Sequence, residues 1–165
     1  MERRNITDSP MEIYIHIPFC IKKCDYCDFL SGPSGPKEQA DYVDALLEEI
    51  NAAEEGKGRS VSSVFIGGGT PSVLDERFIG EILNHIRRKF QIADHAEITI
   101  EVNPGTADRN KLQAYRTYGI NRLSIGLQSP DDRELRSLEE STIMSSFWRL
   151  TEVQERQGST ISILI

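Results

Sequence analysis

MEIYIHIPFCIKKCDYCDF, residues 11–29, passes from a strand pattern straight into three cysteines. Ile13, Ile15 and Ile17 alternate with Tyr14 and His16, the period-two signature of a strand over Glu12 to Ile17. Cys20, Cys24 and Cys27 then follow as C-x-x-x-C-x-x-C on one short loop. Three thiolates so spaced can hold three irons of a four-iron cluster, leaving the fourth iron open, since the chain has no fourth cysteine. A Cys₃His zinc site is the other chemistry the spacing allows, with His16, His85 or His95 as fourth ligand. A disulfide fits poorly, because the number of cysteines is odd.

Outward from this loop, strand and helix patterns alternate. Ser31 to Pro36 (SGPSGP) is a loop by composition, and Val43, Leu46, Leu47 and Ile50 line one face of a helix over Lys37 to Ala53. Ser62 to Ile66 reads as a short buried strand broken by Gly67 to Ser72. Asp75 to Phe90 is a second helix, with Phe78, Ile79, Ile82, Leu83 and Ile86 as its apolar stripe. Glu97 to Val102 alternates again, Asp108 to Tyr118 is a helix ended by Gly119, and Asn121 to Gln128 is a fourth strand. Repeated β-α units predict an α/β fold with a parallel sheet and right-handed crossovers.

One face of three strands is polar: Tyr14 and His16, Thr99 and Glu101, Ser124 and Gln128. A doubly wound sheet buries both faces of its strands, so this alternation predicts a barrel or part-barrel with a polar lumen. Functional groups then gather at the C-terminal ends of the strands. Half-exposed strands are the plainer explanation of the same pattern.

The 165 residues suit one domain, and their net charge of −7 argues against a nucleic-acid partner. Arg87, Arg88 and Lys89 form a basic knot that suits a helix C-terminus. No apolar run is long enough to span a bilayer, and Met1 to Pro10 has no signal-peptide core. The expectation is a flexible extension over residues 1–10, Met1 or Met11 as the start, and a reducing cytoplasm.

Gly67-Gly68-Gly69-Thr70-Pro71 follows the second strand, where glycines permit close backbone approach and offer N–H groups to a ligand. Glu101-Val102-Asn103-Pro104 ends the third strand with a carboxylate, and Leu123 to Ser129 (LSIGLQS) closes the fourth. Singly each motif is weak. In this order, with YIHIPFC at residues 14–20, they resemble radical S-adenosylmethionine (SAM) proteins related to oxygen-independent coproporphyrinogen III oxidase. The resemblance runs from about Met11 to Leu138 and implies a partial radical SAM (β/α) barrel.

That resemblance assigns a [4Fe-4S] cluster to Cys20, Cys24 and Cys27, with SAM chelating the open iron through its amino and carboxylate groups. One electron from the cluster, itself reduced by an electron donor, cleaves the sulfonium and yields a 5′-deoxyadenosyl radical. Tyr14, Gly68, Gly69, Thr70, Glu101 and Gln128 are the implied SAM contacts. Tyr26 packs near the adenine or shields the cluster. The oxidases carry a further cysteine where this chain has Phe29, and a long N-terminal extension. Cys27-Asp28-Phe29 and a short N-terminus resemble instead the HemW branch, whose members bind heme and deliver it to respiratory enzymes. The oxidoreductase-like core leaves two functional expectations: a heme chaperone, or the oxidase.

Residues 139–165 break the pattern. Where the family continues L-G-R-I-H, this chain has Leu138-Glu139-Glu140-Ser141-Thr142. Ordinary codons for the tail, read with one extra G after Leu138, yield L-G-R-I-H-N-Y-E-Q-F-L. The expectation is a tail from a one-base deletion, with a divergent tail as the alternative. Glu140 would then stand where the resemblance puts a SAM-holding arginine, and later β-α units and the heme region would be missing. Such a chain should bind SAM poorly, be inactive and expose a sheet edge.

Overall fold

The computed structural model describes residues 9–24, 27–54, 56, 58–126, 129, 131 and 133, and the backbone of 160–164. Five strands form one parallel sheet in the order β1-β2-β3-β4-β5: Met11–Ile17, Ser60–Gly68, Gln91–Val102, Arg122–Gly126 and Thr160–Leu164. Three helices connect the first four: α1 (Pro36–Ala52), α2 (Glu76–Lys89) and α3 (Arg109–Thr117). Strand order follows chain order without the reversal of a doubly wound sheet, and α1 packs on α2 and α2 on α3. All three helices therefore lie side by side against one face. This is the expected partial barrel.

The helix-side face is apolar. Ile15 and Ile17 of β1, Val64 and Ile66 of β2, Ile98 and Ile100 of β3, and Leu123 and Ile125 of β4 are buried. They pack with Val43 and Ile50 of α1, the Ile79, Ile82, Leu83 and Ile86 stripe of α2, and Leu112 and Tyr115 of α3. Each fully buried Ile or Leu contributes about 1.5–3 kcal/mol relative to exposure.

Local signals explain the helix ends. Pro36 opens α1, where its missing N–H costs nothing. The Asp75 carboxylate caps α2 by accepting from Arg77 N at 2.9 Å, and Asp108 caps α3 through Lys111 N at 2.9 Å. Gly119 (φ +87°) stops α3: its N–H donates to Arg116 O at 3.0 Å, and Ile120 N–H to Tyr115 O at 3.0 Å. That pair of bonds is the Schellman pattern, sealed by buried Tyr115 and Ile120. Arg87, Arg88 and Lys89 occupy the last turn of α2, as their sequence position suggests.

Three boundaries differ from expectation. Strand β2 runs on through Gly67 and Gly68, because β1 supplies partners for them in His16 and Ile17. It is also not buried on both faces: Val64 and Ile66 are buried while Phe65 is half-buried on the other side. Strand β3 begins at Gln91, six residues early; Asp94 and His95 hide the alternation, and the pairing with β2 shifts register between Val61 and Ser63. A fifth strand, Thr160–Leu164, pairs parallel with β4 and covers the edge that four strands would leave open.

Candidate functional site

Two cross-sheet rows on the face away from the helices define the floor of the site. Tyr14, Phe65 and Thr99 stand in register across β1, β2 and β3. One step toward the strand ends, His16 pairs with Gly67, and Glu101 with Ser124. Tyr14 stacks on Phe65 with ring centroids 6.1 Å apart and planes 19° from parallel. Tyr14 Oη lies 3.1 Å from His16 Nδ1. Phe65 was not foreseen, because a strand read as buried on both faces conceals which side chain faces the lumen.

Glu101 is half-buried at the end of β3, and its Oε2 accepts from Gly68 N at 3.0 Å. Burial holds its carboxyl above the ordinary value, opposed by the Gly68 N–H and by His16. The plain solvated carboxylate is thus excluded. Thr99, in contrast, is fully buried and donates to Glu97 Oε1 at 3.0 Å, so it belongs to the sheet rather than to the cavity wall.

The glycine segment closes on the cysteine loop. Gly69 N donates to Ile17 O at 2.8 Å and Thr70 N to Phe19 O at 2.6 Å. Together with Gly68 N, these N–H groups are spent inside the protein, so the expectation that they serve a ligand as donors is corrected. What the glycines provide is proximity. A Cβ at Gly69 would lie 2.6 Å from Phe19 O and 2.9 Å from Cys20 Sγ, and Gly68 takes a φ of +122° that other residues rarely adopt.

The cysteine loop is tied at its base. Cys20 N donates to Gly32 O at 2.9 Å, Gly32 N to Pro18 O at 3.0 Å, and Cys27 N to Cys24 O at 3.1 Å. Cys20, Cys24 and Cys27 are half-buried and form no disulfide with one another. All three border one cavity of about 420 Å³, along with Tyr14, Phe65, Gly68, Gly69, Thr70, Glu101 and Ser124. Thr70 Oγ1 donates to Cys20 Sγ at 3.6 Å. Tyr26 and Gln128 lie outside the described residues.

The fold therefore gathers, from the ends of β1, β2 and β3, Tyr14, the three cysteines, Gly68, Gly69, Thr70 and Glu101 around one cavity. Among the described residues no three His, Cys, Asp or Glu side chains converge on a point fit for a single metal ion. Of the three histidines, His85 Nδ1 lies 2.9 Å from Glu81 O on α2 and His95 is exposed on β3, whereas His16 stands beside Tyr14 and Gly68 at the floor of the site.

The family model of the radical SAM superfamily matches residues 14–160. The chain belongs to that superfamily. Membership implies SAM and an iron–sulfur cluster as cofactors, and the donor set fits: three cysteines outside any disulfide line one cavity. The heme chaperone HemW of Escherichia coli (strain K12) is 43% identical over 131 residues, covering 78% of this chain and 35% of that protein. The structure of the coproporphyrinogen III oxidase HemN from Escherichia coli, described as a radical SAM enzyme, superposes with a TM-score of 0.88 at 34% identity. It covers 95% of this chain and 37% of the oxidase. A structure of anSMEcpe with bound AdoMet and a peptide shares the fold at a TM-score of 0.62 and 17% identity, covering 94% of this chain and 42% of that one. The chain spans about a third of the length of the curated relatives it matches. No helix among the described residues is long and apolar enough to cross a membrane.

Proposed function

We propose that Cys20, Cys24 and Cys27 ligate a [4Fe-4S] cluster and that SAM occupies the cavity beside it. The observation that carries this reading is the shared cavity: the three cysteines of one loop line it together with the Tyr14–Phe65 stack and Glu101. When bound, the cluster supplies the electron that opens the sulfonium of SAM. Glu101 accepts a hydrogen bond from the ammonium or a hydroxyl of SAM, at an oxygen already oriented by Gly68 N. The Tyr14–Phe65 stack offers an aromatic surface, and Thr70 holds the Cys20 sulfur. Tyr26 and Gln128 complete the SAM contacts in this proposal.

The intact protein, in this reading, is a heme chaperone of the HemW type. It binds heme, takes electrons from a donor in the cytoplasm and passes heme to a respiratory protein. Phe29 supports it over the oxidase: this residue borders the cavity, 66% exposed, where the oxidases resembling this chain carry a cysteine. The oxidase reading keeps the support of its close structural superposition.

Anaerobic reconstitution with iron and sulfide tests the site. The dithionite-reduced protein, with the reading frame after Leu138 restored, should give an S = 1/2 EPR signal whose shape changes on adding SAM. Cys20→Ala should abolish the signal. An unchanged spectrum with SAM, or a Cys20→Ala variant that retains its cluster, would refute the assignment.

A further inference from the structure

The return of the cysteine loop leaves one polar atom without a partner among the described residues. Ser31 Oγ is buried, and no described residue offers it a hydrogen bond. Burying a hydroxyl in that state costs its desolvation with nothing in exchange. The backbone around it, by contrast, is tightly held. Ser31 N donates to Phe29 O at 2.8 Å, and the next residue, Gly32, accepts from Cys20 N at 2.9 Å. These bonds seat Ser31 beside Cys20.

A second observation places the two side chains on the same side of Gly69. A Cβ added there would lie 2.9 Å from Cys20 Sγ and 3.0 Å from Ser31 Cβ. Ser31 also borders the cavity that holds the three thiols. Its neighbourhood is therefore sulfur on one side and open cavity on the other. Thr70 already directs a hydroxyl at the Cys20 sulfur from the opposite segment, at 3.6 Å.

We infer that the Ser31 hydroxyl donates a hydrogen bond to sulfur at the Cys20 corner of the cluster, as a positioning residue that raises its reduction potential. The inference rests on the proposed ligation by Cys20, Cys24 and Cys27. A serine hydroxyl has one hydrogen to give, and cluster loading brings thiolate and sulfide acceptors to this wall. Donation to sulfur favours the reduced cluster, which carries one more negative charge, so the potential moves upward. No covalent step is involved.

The test uses the 165-residue chain, reconstituted anaerobically with iron and sulfide, as wild type, Ser31→Ala and Ser31→Thr. EPR-monitored redox titration gives the midpoint potential, and resonance Raman in H₂O and D₂O reports hydrogen bonding to the iron–sulfur stretches. Ser31→Ala should titrate at a more negative potential and lose deuterium sensitivity at one thiolate stretch, while Ser31→Thr stays near wild type. Iron uptake by Ser31→Thr but not by Ser31→Ala would also support the inference, since the hydroxyl is then needed to hold the cluster. Equal midpoints in all three proteins would overturn it. So would weaker SAM binding by Ser31→Ala at an unchanged midpoint, which assigns the hydroxyl to SAM. Failure of both variants to take up iron would make Ser31 a packing residue. A wild-type chain that forms no cluster would instead sink the ligand assignment itself.

Discussion

Replacing Gly69 by alanine isolates the contact on which the whole site depends. The added methyl would meet Phe19 O at 2.6 Å, Cys20 Sγ at 2.9 Å and Ser31 Cβ at 3.0 Å. Two of these atoms cannot swing away easily. Phe19 O accepts the Thr70 N–H at 2.6 Å, and Cys20 is held through its own N–H on Gly32 O. The glycine segment and the cysteine loop must therefore separate by several tenths of an ångström. Overpacking of this kind costs about 1–3 kcal/mol. For a chain of this size each kcal/mol lowers Tm by about 2–4 °C, so a cost near 2 kcal/mol predicts a fall of about 4–8 °C. Circular-dichroism melts of the metal-free chain measure it. Gly32→Ala is the matched control: it lies on the cysteine loop that Gly69 packs against, its φ is not positive, and nothing lies within 4 Å of the added Cβ. That variant should melt within about 1–3 °C of wild type, since only unfolded-state entropy changes. A Gly69→Ala protein melting within about 1 °C of wild type would refute the close approach of the two segments. Displacing Cys20 should also lower iron uptake by Gly69→Ala relative to Gly32→Ala.

Glu101→Gln should separate stability from binding. Because burial raises the folded-state carboxyl above its unfolded value, the folded chain binds the proton more tightly, and wild-type stability falls as pH rises from about the ordinary glutamate range through the raised value. Glutamine still offers an oxygen to Gly68 N and carries no charge to desolvate. Thermal melts should therefore show Glu101→Gln more stable than wild type at pH 7, with the gap closing near pH 4; a gap that persists in acid would contradict the burial argument. At pH 7 the same variant should bind SAM more weakly, measured by calorimetry on the reconstituted protein. For the tail, we propose that residues 139–165 come from a shifted frame, and resequencing the gene across the Leu138 codon should reveal one additional G. A sequence that reads unchanged there would make the tail a genuine divergence.

Sequence alone determined the β-α rhythm, the apolar stripes of α1 and α2, the helix stop at Gly119 and the three-thiol loop. These are local properties. Periodicity and cap chemistry act within one or two turns, and the order of motifs along the chain is enough to show the resemblance. The tertiary structure decided what those motifs do to one another. Only the register of β1, β2 and β3 stacks Tyr14 on Phe65, and only the pairing of Gly67 and Gly68 with β1 brings the glycine segment under Cys20. The N–H groups of residues 68–70 look free in the sequence, yet they are taken by Glu101, Ile17 and Phe19 once the strands align. Ser31 likewise reads as one more polar loop residue, until the fold buries its hydroxyl beside a cysteine with no partner among the described residues. Each of these facts concerns a pair of groups far apart in the chain, and a parallel sheet sets such distances only when its register closes.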